Sequence, residues 1–115
     1  MIPIIRIMNP IDRIEDIAEP LFVGEEYAHL FSIIPMKGLS FQEANVTARF
    51  IRPDGAEVNP GGYVDSETGN VCVLLSPECY AVSGQYTMYI FAVYPYETLC
   101  VCACRGNILP TLSRG

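Results

Sequence analysis

Five cysteines and a single histidine are the side chains of this sequence best suited to ligate a metal, exchange a disulfide or attack an electrophile. Cys100, Cys102 and Cys104 alternate with Val101 and Ala103, so a strand here would send all three thiols to one face. Residues two apart on a strand lie about 7 Å from each other, too far for an easy disulfide, and one strand face cannot wrap a tetrahedral ion. The turn-borne Cys-x-x-Cys knuckles of zinc sites do not occur, and Cys72 and Cys79 could contribute only by converging from other strands. Cysteine also packs well as a small hydrophobe. The expectation is reduced thiols filling a core, with no metal and no cofactor. An odd cysteine count without an export signal points to the same reduced state.

The remaining reactive residues are equally sparse. His29 has no second histidine to share a metal or a proton with, and reads as a solvent-facing or hydrogen-bonded residue of a strand. Glu25 and Glu26 are adjacent, which puts them on opposite faces of an extended chain and gives no glycosidase pair. Asp54 belongs to a turn. Gly61-Gly62 precedes no helix and lacks the Lys-Ser/Thr of a phosphate loop, and Asn45-Val46-Thr47 is a common chance match to a glycosylation acceptor. No catalytic residue is assigned, and the chain is expected not to be an enzyme.

The elements that would position these residues read as strands separated by turn chemistry. Strands are expected near 27–34, 45–52, 71–75, 85–94 and 98–105, with short ones near 56–58 and 62–65. The last two long strands form a hairpin across Pro95. Residues 45–52 alternate cleanly, Val46, Ala48, Phe50 and Arg52 against Asn45, Thr47, Arg49 and Ile51, as in a strand with one solvated face. Arg52-Pro53-Asp54-Gly55 fits a type I turn, with proline second and glycine fourth. Between Asn9 and Pro20, a capping residue and Ile11, Ile14, Ile17 and Ala18 at helical spacing predict one short helix over 10–19. Ile2 to Met8 is apolar on both faces, as in a doubly buried strand or an arm laid against a neighbour. The result is an all-β, immunoglobulin-like antiparallel β-sandwich, residues 20–106. An extended N-terminal arm with the short helix precedes it over 1–19, and a C-terminal tail follows over 107–115.

Composition narrows the partners. The net charge is −6, from thirteen acids and seven bases without a basic cluster, which disfavours nucleic acid. The apolar stretch from Tyr86 to Cys104 is interrupted by Pro95 and Glu97 and is rich in aromatic and β-branched residues, so it reads as a hairpin and not as a membrane helix. Half of the residues are hydrophobic and 17% are charged, more apolar character than one small monomer easily hides. Tyr80, Tyr86, Tyr89, Phe91, Tyr94 and Tyr96 crowd one region. One face of strand 85–94 begins polar at Gln85 and Thr87 and ends apolar at Tyr89, Phe91 and Val93. Those three, with Ile2, Ile4, Ile5 and Ile7 of the arm, are the expected contacts between chains.

Ser83-Gly84-Gln85-Tyr86 resembles the entry to a late strand of immunoglobulin-like sandwiches, although Met88 stands where antibody domains have cysteine. A broader resemblance covers residues 20–106. The ordered set Leu21-Phe22-Val23-Gly24-Glu25, Ala48 to Gly55, Val71 to Tyr80 and Gly84-Gln85-Tyr86 is similar to small β-sandwich domains of tailed-bacteriophage structural proteins, such as the N-terminal domain of baseplate upper proteins and the attachment domains of head or tail fibres. That resemblance implies a non-catalytic virion protein, made in the host bacterial cytoplasm, that docks onto other virion proteins and forms a homo-oligomer, a trimer by the fibre pattern. No heptad stalk or receptor-binding tip follows, so the implied role is the docking part alone: a capsid decoration protein, a head-fibre base, or a baseplate or tail adaptor. The alternative is an immunoglobulin-like carbohydrate- or protein-binding module of a bacterial surface protein. A small thiol or metal enzyme rests on the cysteines only.

Overall fold

The computed structural model describes residues 3–8, 14–37 and 40–110, with the backbone alone at Met8. Among them the strands are β1 (Ile4–Met8), β2 (Glu15–Asp16), β3 (Leu21–Phe22), β4 (His29–Ile33), β5 (Asn45–Ile51), β6 (Glu57–Val58), β7 (Gly62–Val64), β8 (Val71–Leu74), β9 (Gly84–Val93) and β10 (Thr98–Leu109). A single 3-10 turn, Pro77–Tyr80, follows β8. One sheet has the order β1-β4-β8-β7, and the other has the order β2-β10-β9-β5-β6 with β3 also paired to β10.

Local sequence explains the strongest elements. In β9, residues 86, 88, 90 and 92 are buried and their neighbours are not, which is the period of two that a sheet imposes. β5 alternates in the same way, with Ala48 and Phe50 inward. The β5–β6 hairpin closes through Gly55 N–H donating to Arg52 O at 2.9 Å and Arg52 N–H donating to Ala56 O at 2.9 Å. Gly55 sits at φ 85°, the left-handed position that follows a type I turn in a three-residue hairpin loop. The β9–β10 hairpin turns at Pro95, as expected, with Tyr94 N–H donating to Glu97 O at 2.7 Å.

The sandwich core lies between the sheets. Phe31, Ile33, Val71, Val73 and Leu75 from the first meet Ala48, Phe50, Tyr86, Met88, Ile90 and Ala92 from the second. Phe50 stacks on Tyr86 with ring centroids 4.9 Å apart. At Gly62 a methyl group would stand 2.3 Å from Val46 Cγ1, so β7 and β5 approach closely there because residue 62 has no side chain.

Three expectations are revised. The sheets are mixed, not antiparallel throughout: β1 runs parallel to β4, and β2 and β3 run parallel to β10. The helix expected over 10–19 is replaced in its described part by β2, whose partners are Cys104 and Arg105, and Ile17 N–H donates to Arg105 O at 2.8 Å. Pairing with a long neighbouring strand satisfies those backbone groups and buries Ile17, which outweighs a weak local helical preference. Residues 9–13 of that expectation lie outside the described residues. Finally, residues 4–8 are no free arm but the edge strand of the first sheet, and they are not buried on both faces: Ile5 is 56% and Ile7 64% exposed. The sheets thus take in residues on both sides of 20–106, since β10 continues to Leu109.

Candidate functional site

Ser32 and Cys72 pair across β4 and β8, and their neighbours in the same rows define the outer face of the four-stranded sheet. One row runs Ile5–Leu30–Leu74 and the next Ile7–Ser32–Cys72–Tyr63. The inward partners on β8, Val71 and Val73, join the main core cluster; Cys72 lies outside that cluster yet is buried, as is Ser32. Asn70 Nδ2 donates to Ser32 Oγ at 3.0 Å, and the Cys72 thiol donates to the same oxygen at 3.7 Å, so the polar groups of this face satisfy one another. None of these rows carries an Asp, Glu, Lys or Arg. Beside them runs the edge of β1.

The outer face of the six-stranded sheet is built differently. Its central rows are Thr47–Phe91–Cys100, Arg49–Tyr89–Ala103 and Asn45–Val93–Thr98. Tyr89, Phe91 and Val93 are half-buried. Ion pairs flank them on both sides: Arg49 Nη2 donates to Glu57 Oε1 at 2.8 Å, and Arg105 Nε donates to Asp16 Oδ1 at 2.5 Å. Hydrogen bonding to these guanidinium groups holds the Glu57 and Asp16 carboxyls below the usual carboxylate range. Exposed pairs of this kind contribute little to stability. They place charged groups on β5 and β10, to either side of Tyr89, Phe91 and Val93 on β9.

The expected contact residues therefore fall on opposite sides of the sandwich. Tyr89, Phe91 and Val93 share one face, Ile5 and Ile7 stand on the other, Ile4 alternates to the opposite side of β1 from them but is still exposed, and Ile2 lies outside the described residues. Leu30, Leu74 and Tyr63 were not anticipated. The signal for Leu30 was an apolar residue at an outward position of β4, and Leu74 and Tyr63 stand on β8 and β7, whose pairing with β4 and with each other the sequence does not mark.

The candidates for chemistry take structural places. His29 is buried, and its Nδ1 lies 3.0 Å from the Tyr80 hydroxyl, which fastens the 3-10 turn against β4. Burial pushes the Tyr80 phenol up. Glu25 Oε1 accepts from Phe22 N–H at 2.9 Å, and Asp54 accepts from Ala56 N–H at 3.2 Å and from Arg52. The three cysteines of β10 do not share a face. A bulge between Cys100 and Cys102, in the stretch opposite Phe91 and Ile90, leaves Cys100 outward and exposed while Val101, Cys102 and Cys104 are buried. Burial raises the Cys79 thiol to about 11 and raises that of Cys100 as well. All five cysteines are free, and among the described residues no three His, Cys, Asp or Glu side chains converge as metal ligands. No helix of the described residues is long and apolar enough to cross a membrane.

No family model matches the chain, and no curated protein matches it. Among solved structures it is similar to the N-terminal domain of phage TP901-1 ORF48, with a TM-score of 0.56 at 9% identity, covering 97% of this chain and 100% of that one. The two share a fold. The likeness runs essentially end to end and so takes in β1 to β3 as well as the long strands.

Proposed function

We propose that this chain is a non-enzymatic structural domain of a bacteriophage virion, which docks onto other virion proteins through the outer faces of its two sheets. The observation that carries the reading is the end-to-end fold likeness to a phage protein's N-terminal domain. The two faces support it, one apolar and uncharged beside an open strand edge, the other an aromatic strip with charged groups to either side. Within that reading the chain forms a homo-oligomer, a trimer by the fibre pattern, and serves as a capsid decoration protein, a head-fibre base, or a baseplate or tail adaptor.

Phe91→Glu and Ile7→Glu test the two faces separately. Burying an apolar side chain of this size contributes about 1.5–3 kcal/mol, and a buried unpaired charge costs more, so a carboxylate at an interface position weakens assembly strongly. Each variant is expected to keep the wild-type circular dichroism and to lose self-association in sedimentation or incorporation into particles. Folded variants that both associate and incorporate like wild type would overturn the proposal.

A further inference from the structure

Independently of the virion reading, the hairpin tip between β9 and β10 forms a cleft of about 370 Å³ with the loop that precedes β5, lined by Ser40, Gln42, Glu43, Tyr94, Tyr96 and Glu97. That volume lies within the range of sites for small groups. Both walls are fixed by the fold. Tyr94 is 9% exposed and its hydroxyl donates to Ser40 O at 2.8 Å, tying the hairpin to the loop. On the loop side, Phe41 is 1% exposed and Ala44 N–H donates to Phe41 O at 3.0 Å. The Tyr96 ring stacks beside Tyr94, centroids 6.2 Å apart and planes 22° apart, yet Tyr96 itself is 77% exposed. A large aromatic ring held next to a buried one presents a flat apolar face at the surface.

The electrostatics of the cleft have one sign. Glu43 and Glu97 line the same cleft as the Tyr94 ring, and their carboxylates add to the burial that raises its phenol. Neither takes part in any of the ion pairs among the described residues. Four other acids do take part in ion pairs: Asp16 with Arg105, Glu19 with Arg6, Asp54 with Arg52 and Glu57 with Arg49. Two uncompensated carboxylates beside an electron-rich ring face attract a cation that also has a flat or apolar surface. A guanidinium fits best, because it stacks on an aromatic plane and offers several N–H donors in that plane to carboxylate oxygens.

We propose that the Tyr94–Tyr96 cleft receives a guanidinium side chain from a protein partner, sandwiched against Tyr96 and paired with Glu43 and Glu97. Gln42 and the Ser40 hydroxyl lie within the same lining and complete its polar edge.

The test is an amide-resonance titration of the intact protein with Nα-acetyl-arginine amide. The lysine, citrulline and norleucine counterparts serve as comparisons. Arginine amide is expected to give saturable shifts confined to residues 40–44 and 94–97 with a millimolar dissociation constant, lysine amide a weaker version, and the two uncharged probes none. Glu43→Gln combined with Glu97→Gln is expected to weaken arginine binding at least about tenfold, since two charge attractions near the surface are lost, and added salt to weaken it in wild type. Tyr96→Ala, at a position too exposed to hold the fold, is expected to weaken arginine more than lysine. The proposal falls if arginine gives no saturable shift or if citrulline binds equally well. A methyl glycoside that binds these residues unaffected by the glutamine pair would replace the cation with a saccharide.

Discussion

Cys100 and Cys102 show how much a single residue's environment depends on something the residue itself does not encode. Their alternation with Val101 correctly signals a strand, and core packing holds for Cys102 and Cys104, which are buried at 0% exposure. The outward turn of Cys100 depends on one irregularity in the β9–β10 register, which has no mark in the cysteine spacing. This difference is measurable. Brief treatment of the native protein with iodoacetamide is expected to label Cys100 first, slowly because burial raises its thiol, while Cys79, Cys102 and Cys104 react only after unfolding. Peptide mapping that finds Cys102 labelled as fast as Cys100 would contradict the bulge. Cys102→Ala is expected to cost about 1–2 kcal/mol in urea denaturation through lost apolar burial. His29 had a similarly limited signal: the sequence allowed a hydrogen bond, but its partner, Tyr80, stands 51 positions away.

At the scale of elements, legibility followed length and pattern. β5 and β9 were readable because alternation over 7 and 10 residues leaves little choice of face, and the hairpins because proline and glycine sit where their turns require them. β2 and β3 are 2 residues each and exist only through their partner β10, so no local pattern could announce them. The candidate faces were half legible for the same reason: alternation exposed Tyr89, Phe91 and Val93, but the grouping of Ile5 with Leu30 and Leu74 required knowing that β1 lies against β4. Two elements offer direct tests. Gly62→Ala forces a methyl group onto Val46 and is expected to destabilise the fold by about 1–3 kcal/mol, with Val46→Ala in the same chain recovering part of the loss. Additive effects in denaturation of the single and double variants would show that the sheets do not meet there. In the β5–β6 turn, hydrogen bonding from Arg52 lowers the Asp54 carboxyl from its ordinary 3.8 to about 2. A depressed folded-state value stabilises the native protein above pH 3.8, and that contribution disappears as the pH falls through about 2. Melting temperatures of wild type and Asp54→Ala are therefore expected to converge toward the acid end of that window, and a gap that persists below it would show that the ion pair is not its source.

For the whole molecule, the two outer faces point away from each other, so one copy of the sandwich can be gripped from both sides, and the losses caused by Phe91→Glu and Ile7→Glu are expected to be separable. Within the six-stranded sheet runs β10, paired with β9 on one side and with β2 and β3 on the other. Arg105 bonds Asp16 across 89 positions, and Leu109 stands beside Phe22. A ribosome adding about 5–20 residues per second leaves Leu21 and Phe22 without that partner for on the order of ten seconds after they emerge. During that interval the early strands can form no lasting sheet with β10, and the nascent chain carries uncovered apolar side chains that invite chaperones or like chains. The pairing of β2 and β3 comes only with β10, so a chain released before β10 is made keeps the partners of the four-stranded sheet but leaves β2 and β3 without theirs. The two shortest strands near the start of the chain are thus the last to find their partner, a consequence of the order in which the strands are made.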